Sequence, residues 1–248
     1  MTNAIPAATL IVMRDRAGFA PEILMVERAK AMAFAGGALV FPGGRIDPGD
    51  HALAADSGSG LADAAARIAA IRETIEEAGL AIGLTPRPDT AAVAAMRDGL
   101  HAGSPMDAMM ADAGFALDLA ALVPFARWLP AHAHARIFDT YFYLARAPAG
   151  ASPTVDATEN VRLIWTSAAD VLDQADAGHA TIIYPTRRNL ERLARFADFD
   201  AAVADAIAHP IRTITPFVEH REGADHLCIP DDLGYPVTSE VLSGSLRG

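Results

Sequence analysis

A single cysteine, Cys228, excludes an intrachain disulfide and any zinc site built from several cysteines. It also fits a reducing compartment. No stretch approaches the roughly 18 uninterrupted apolar residues of a membrane span. The opening stretch MTNAIPAATLIVMRDR lacks the charged region and long apolar run of a secretory signal. The closing SGSLRG carries no peroxisomal or retention tripeptide. These absences lead us to expect a cytoplasmic protein without a membrane partner. Basic residues are also scarce, 20 Lys and Arg against 31 Asp and Glu, for a net charge of −11. Such a surface repels nucleic-acid backbones, so any phosphate-bearing small molecule would have to be met by local arginines or by a metal. No internal repeat and no linker divides the chain. What is present is ordinary for a globular protein: 52% hydrophobic and 21% charged residues in 248. That is enough for one large domain, or for a core with a helical appendage.

AATLIVMR and EILMVER, separated by DRAGFAP, predict a β-hairpin, and GGALVFPGG predicts a third strand between glycine turns. DPGDHALAADSGSG reads as a loop. From residue 61 to 79 the chain reads as a helix, with Leu61, Ala65, Ile68, Ile71 and Ile75 at three- and four-residue steps and Gly79 as its stop. Residues 89 to 114 predict two short helices broken at Gly103 to Pro105. LVPFARWLP, ARIFDTYFYLARAP and VRLIWT predict strands. SAADVLDQADAG predicts a Ser-capped helix, and YPTRRNLERLARFADFDAAVADAIAH two more. The tail HLCIPDDLGYP reads as turns. This order suggests a mixed α/β sandwich with helical additions.

RETIEEAGL, residues 72 to 80, places Glu73, Glu76 and Glu77 at i, i+3 and i+4, so Glu73 shares a helix face with both others. Like charges so close weaken a helix unless something positive holds them. A solvated acidic face is one reading. A site for a hard divalent cation is the other, since Mg²⁺ and Mn²⁺ favour clustered carboxylate oxygens. Upstream, FPGGRIDPGD ends a strand, turns on Gly43 and Gly44, and delivers Asp47 and Asp50; glycines there let a ligand approach the backbone.

Together these stretches resemble the Nudix box: Gly, five residues, Glu, seven residues, then Arg-Glu-aliphatic-x-Glu-Glu-x-Gly-aliphatic. Gly44 opens it, Asp50 stands where the Glu is expected, and Arg72, Glu73, Glu76, Glu77, Gly79 and Leu80 fill its second half. Thr74 occupies an aliphatic position. The gap between Asp50 and Arg72 holds 21 residues, 14 more than the pattern's seven, a length that a loop absorbs at small entropic cost. The resemblance implies an α/β/α sandwich of the Nudix fold, with a mixed sheet and extra helices. It implies one domain over residues 1–248, with an insertion near 51–64, a helical insertion near 86–114 and C-terminal helices at 185–209. It further implies hydrolysis of a diphosphate linkage with Mg²⁺ or Mn²⁺ as cofactor. Glu73, Glu76, Glu77 and the Gly44 carbonyl would be the ligands, and Arg72 would pair with a box carboxylate and orient it. The catalytic base differs among such enzymes; Glu73 and Glu159, in DATENVRLIW, are the candidates.

Within LMVERAKAMAFAGGALVFPGG, residues Leu24, Met25, Arg28, Ala29, Gly37 and Phe41 to Gly44 are similar to the motif of the coenzyme A diphosphatase branch, with Val26 and Ala33 departing from it. The resemblance implies a nucleoside-diphosphate-linked substrate, coenzyme A or an acyl derivative first, with ADP-ribose, NADH or a nucleotide sugar as the alternative. Arg28, Gly43, Gly44 and Arg136 are the candidate substrate contacts. The partner expected is thus a small diphosphate; a homodimer is compatible with the resemblance. His132 and His134 read as surface histidines or metal ligands. Arg136 and Asp139 read as a local ion pair or substrate contacts, YPTRRNLERLARF as a solvated basic face or a phosphate contact, and Trp128 and Trp165 as core. A non-catalytic nucleotide-sensing domain of the same fold would tend to lose the glutamates kept here. An isomerase on this fold would need Cys228, far from the box.

Overall fold

β1 (Ile5–Arg16) is the axis of the molecule: its alternating side chains Leu10 and Val12 face one way, Ile11 and Met13 the other, and all four are fully buried. The computed structural model describes residues 4–31, 35–130, 137–156 and 160–242. After β1 the chain forms β2 (Phe19–Arg28), β3 (Leu39–Val40), β4 (Gly43–Arg45), α1 (Pro48–Asp56), α2 (Ala64–Ala78), β5 (Leu84–Thr85), α3 (Thr90–His101), α4 (Met106–Ala113) and β6 (Ala116–Leu117). There follow β7 (Val123–Trp128), β8 (Phe138–Arg146), β9 (Asn160–Ser167), α5 (Ala168–Asp176), α6 (Tyr184–Leu193), α7 (Phe199–Ala208), β10 (Thr213–Ile214), β11 (Phe217–Arg221), β12 (Ala224–Cys228) and β13 (Ser239–Val241).

The main sheet is mixed. Its path is β10-β7-β8-β1-β2-β3, with β4 on β1 and β9 on β2. β1 runs parallel to β8 and antiparallel to β2 and β4. Each face carries its own core. One holds Ala8, Leu10, Val12 and Leu24 beneath α2, α3 and α4. The other holds Ile11, Met13, Ile23 and Met25 beneath α5, α6 and α7. This is the expected α/β/α sandwich. Among the described residues no helix is long and apolar enough to cross a membrane.

Sequence expectation and structure part in several places. Residues 47–60, read as a loop, contain α1. Asp47 precedes it, Pro48 opens it, and the Asp50 carboxylate takes the Asp47 N–H at 2.8 Å, which supplies a partner for a donor at the helix start. The next helix begins at Ala64 rather than Leu61, and Leu61 is exposed. The tail, read as turns, contributes β12 to a three-stranded sheet with β11 and β13. β11 is exposed along its whole length, so no alternation marks it. β1 to β3, β7 to β9 and α3 to α7 stand where the sequence places them, whereas the short strands β5, β6, β10 and β13, like β11, have no counterpart in that reading.

One feature of the sheet builds the site. β1 and β2 pair only near their turn, from Met13↔Ile23 to Arg16↔Phe19. Beyond that they separate, and residues 39–45 enter between them: β3 lies on Val26 and Glu27, β4 on Ala7 to Thr9. The wedge carries Phe41-Pro42-Gly43-Gly44 to the sheet edge under the carboxylate helix.

Candidate active site

Arg72 is what holds the carboxylates together. It lies on α2, a helix buried on nearly every side; Ile68, Ile71 and Ile75 have no exposed surface. Thr74 fits the interior because its hydroxyl donates back to the Ala70 carbonyl at 2.7 Å. Within the helix only Ala65, Arg72, Glu73 and Glu76 reach partial exposure. The Arg72 guanidinium forks onto Asp50, Nε to Oδ1 at 3.0 Å and Nη2 to Oδ2 at 2.9 Å. Its Nη1 donates to Glu73 at 3.0 Å and Glu76 at 3.1 Å, and Nη2 also donates to the Arg45 carbonyl at 2.9 Å. Asp50 is 2% exposed, so this is a buried, fully directed pair of the kind that fixes geometry. Asp50 and Arg72 meet although 21 residues separate them, because α1 and its connector return the chain to the start of α2.

Glu77, 4% exposed, takes the Gly43 N–H on Oε2 at 2.9 Å. Arg28, at the end of β2, brings Nη1 to 3.9 Å from Glu77 Oε1. The glycines are needed for space. A Cβ on Gly43 would stand 2.5 Å from the Ala8 carbonyl oxygen, and one on Gly44 would overlap the Glu73 carboxylate. Gly37, with φ +77°, closes the preceding turn by donating to the Arg28 carbonyl at 3.0 Å, and so fixes the backbone that carries Arg28.

Burial pushes the Glu73 carboxyl up to about 8, Arg72 draws it down, and Glu77 and Glu76 add to the rise. Arg72 is held above its ordinary value: burial opposes its charge, but Asp50, Glu73 and Glu76 outweigh burial. The neighbourhood thus carries more negative charge than one arginine neutralises. Among the described residues no three Asp, Glu, His or Cys side chains form a closed group able to hold a metal ion. Arg72 engages Glu73 and Glu76, while Glu77 is turned to Gly43. The donor chemistry nevertheless suits a hard divalent cation. The oxygens are carboxylate, Glu73 is pressed against Gly44, and its raised ionisation is what an added cation would reverse.

The other expected residues divide. Glu159, Arg136, His132, His134 and Ala33 lie outside the described residues. Asp139 pairs with Arg127 through two bonds of 2.8 and 2.7 Å, so its partner is on the neighbouring strand β7. Trp128 is core; Trp165 is half-buried beneath the Arg14 guanidinium, 4.3 Å from its ring. In the basic stretch Arg188 and Arg192 are buried and paired with Glu191 and Glu240, and with Asp205, which makes that face structural rather than solvated. Sequence reasoning missed Arg97. From α3 it donates to the Glu76 carbonyl at 2.8 Å and the Glu77 carbonyl at 3.2 Å, capping the end of the carboxylate helix. Its burial lowers its ionisation. No motif marks it. Sequence reasoning also missed Asn160, fully buried at the start of β9 opposite Arg28.

No protein-family profile matches the chain, and no curated protein matches it. Solved structures do. A NUDIX hydrolase from Alicyclobacillus acidocaldarius is 30% identical over 82% of this chain and 97% of that one, with a TM-score of 0.73. The MutT protein from Methanosarcina mazei Go1 is 16% identical over 79% and 96%, with a TM-score of 0.43. An Ap4A hydrolase from C. elegans is 19% identical over 77% and 95%, with a TM-score of 0.40. The first of these spans almost the whole of its relative at that identity, so the chain belongs to the Nudix hydrolases and is a diphosphate-cleaving enzyme of that family.

Proposed function

We propose that the chain is a Mg²⁺- or Mn²⁺-dependent hydrolase of a nucleoside-diphosphate-linked metabolite, with coenzyme A or an acyl-CoA as the substrate class. Nudix hydrolases are generally divalent-metal dependent. Glu73, Glu76, Glu77 and the Gly44 carbonyl would hold the cation. When bound, it would neutralise diphosphate oxygens and lower the pKa of a coordinated water. The chain's own groups do the rest. Arg72 orients Glu73 and Glu76 and keeps Asp50 beneath them. The Gly43–Gly44 backbone leaves room for a phosphate against the sheet edge. Glu73 is one candidate to accept a proton from water, and Glu159 is the other.

The observation that carries the substrate class is the position of Arg28. An arginine at this position could pair on the surface with Glu22 or Glu27, yet Glu22 is taken by Arg14 and Arg16, and Glu27 by Arg162. Arg28 instead turns into the site beside Glu77. A guanidinium there meets a substrate phosphate.

The test is kcat/KM for coenzyme A and for ADP-ribose in the wild type and in Arg28→Ala, with Mg²⁺ and with Mn²⁺. Loss of a hydrogen bond to a charged group corresponds to about 1.5–3 kcal/mol, and we expect that loss in KM for coenzyme A. If the wild type leaves coenzyme A intact, or both substrates respond equally, the coenzyme A assignment fails and the family activity stands.

A further inference from the structure

Asn160 has no exposed surface, and neither its amide nitrogen nor its amide oxygen has a hydrogen-bond partner. Such burial is unfavourable, and an apolar residue would be the better occupant. One stands next to it. Between Glu27 and Arg28 the β2–β9 register slips, so that Glu27 faces Arg162 but Arg28 faces Asn160, and Val161 is the extra residue. Val161 is 58% exposed. Without this bulge Val161 would stand opposite Arg28 and Asn160 would face the other side of the sheet. The fold therefore turns a valine out to solvent and an asparagine in, the reverse of what burial favours.

Residues opposite one another on paired strands share a face. Arg28 reaches toward Glu77 of α2, so Asn160 stands on that same face beside the arginine. The Asn160 backbone N–H is held by Asp156 Oδ1 at 3.0 Å, which anchors the strand start. Glu77 is the carboxylate that Arg28 and a divalent cation would both seek, and the two positive groups compete for it.

We propose that Asn160 is a positioning residue for Arg28, whose guanidinium its amide oxygen receives when Glu77 turns to the cation. The inference rests on the reading of Glu77 as a cation ligand. A neutral amide suits this task. It holds the guanidinium N–H without a full negative charge that would neutralise it, and it leaves the arginine's remaining donors for phosphate oxygens. Leucine in its place could not hold Arg28. Aspartate would hold it and neutralise it.

The experiment is a double-mutant cycle over Asn160→Leu and Arg28→Ala, with Mn²⁺ titrated calorimetrically and KM measured on a diphosphate substrate. In EDTA, Asn160→Leu should melt at or above the wild-type temperature, because it removes an unpaired buried amide. Its Mn²⁺ affinity should fall and its KM rise, each about tenfold, the scale of one charged hydrogen bond. In the Arg28→Ala background both effects should vanish. Asn160→Asp, of the same size, should keep Mn²⁺ binding but raise KM. Effects of Asn160→Leu that add to those of Arg28→Ala would overturn the proposal. So would a loss of stability with unchanged Mn²⁺ affinity, or an Asn160→Asp enzyme of wild-type KM. If the wild type binds no Mn²⁺, the cation reading falls and this inference with it. If it binds Mn²⁺ and Asn160→Leu binds equally well, this inference alone falls.

Discussion

Arg72 touches Asp50, Glu73, Glu76 and the Arg45 carbonyl at once. The planar fork of a guanidinium is what makes these contacts together possible. Lysine would retain the charge but lose the fork onto Asp50, so Arg72→Lys should lower kcat by about tenfold or more, with a reduced melting temperature. Steady-state kinetics and a thermal melt check this. Glu76→Gln keeps shape and removes a charge. Its activity should drop at least ~10²-fold, as when other charge-stabilising groups are removed, and full activity in that variant after EDTA would sink the cation reading. Glu73 gives a pH prediction. Its carboxyl ionises near 8 in the folded chain against an ordinary 4.5. Between those values the folded protein holds a proton that the unfolded chain has released. Stability should therefore fall as pH rises through that window and level off above it. Melts in EDTA from pH 5 to 8 should show the decline. Glu73→Gln should flatten it, with a gain at pH 8 of about 2–4 °C for each kcal/mol recovered.

At the scale of elements, α1 ties the carboxylate strip to the rest of the molecule. Asp50 sits in its first turn, holds Arg72 and takes the Asp47 N–H, while Leu53 and Ala54 pack on the core beneath α2. The stretch after the helix, residues 57–61, is exposed throughout. Removing a few of those residues should leave Mn²⁺ binding within about twofold, since loop closure changes slowly with length. Removing α1 with Asp50 should abolish binding in a protein that still folds, as calorimetry would show. The sequence offered the sign of this helix in Asp47-Pro48-x-Asp50, but Gly49 and the glycines at 58 and 60 outweighed it in a reading by composition. The box residues and the long strands were legible because their spacing carries their geometry. The Asp139–Arg127 pair and the Arg28–Asn160 apposition were not, since each depends on cross-strand register, which no local pattern states. β11 was not legible either, because a strand exposed along its length shows no period.

Over the whole molecule the sheet divides two tasks. Its α2 face carries Arg28, the Gly43–Gly44 turn and the carboxylates. Its other face is closed by α5 to α7 and by the C-terminal segment, which adds Ile229, Leu233 and Tyr235 to that core. There Trp128 meets the rings of Tyr184 at 5.9 Å and Tyr235 at 5.8 Å, both edge-on. The Tyr235 hydroxyl donates to Asn189 Oδ1 at 2.8 Å, and Asn189 has no exposed surface. Replacing Tyr235 by Phe keeps the ring contacts and leaves that amide oxygen unpaired. The cost should be about 1–3 kcal/mol, or a fall in melting temperature of about 2–4 °C per kcal/mol. If the sheet separates stability on this face from chemistry on the other, Tyr235→Phe should lose that stability while kcat/KM below its melting range stays within about twofold of wild type. A rigid sheet packed on both sides transmits little from a change that leaves its strands in register. An equal loss in kcat/KM would show that the two faces act as one unit, and would place the C-terminal segment among the elements that shape the site.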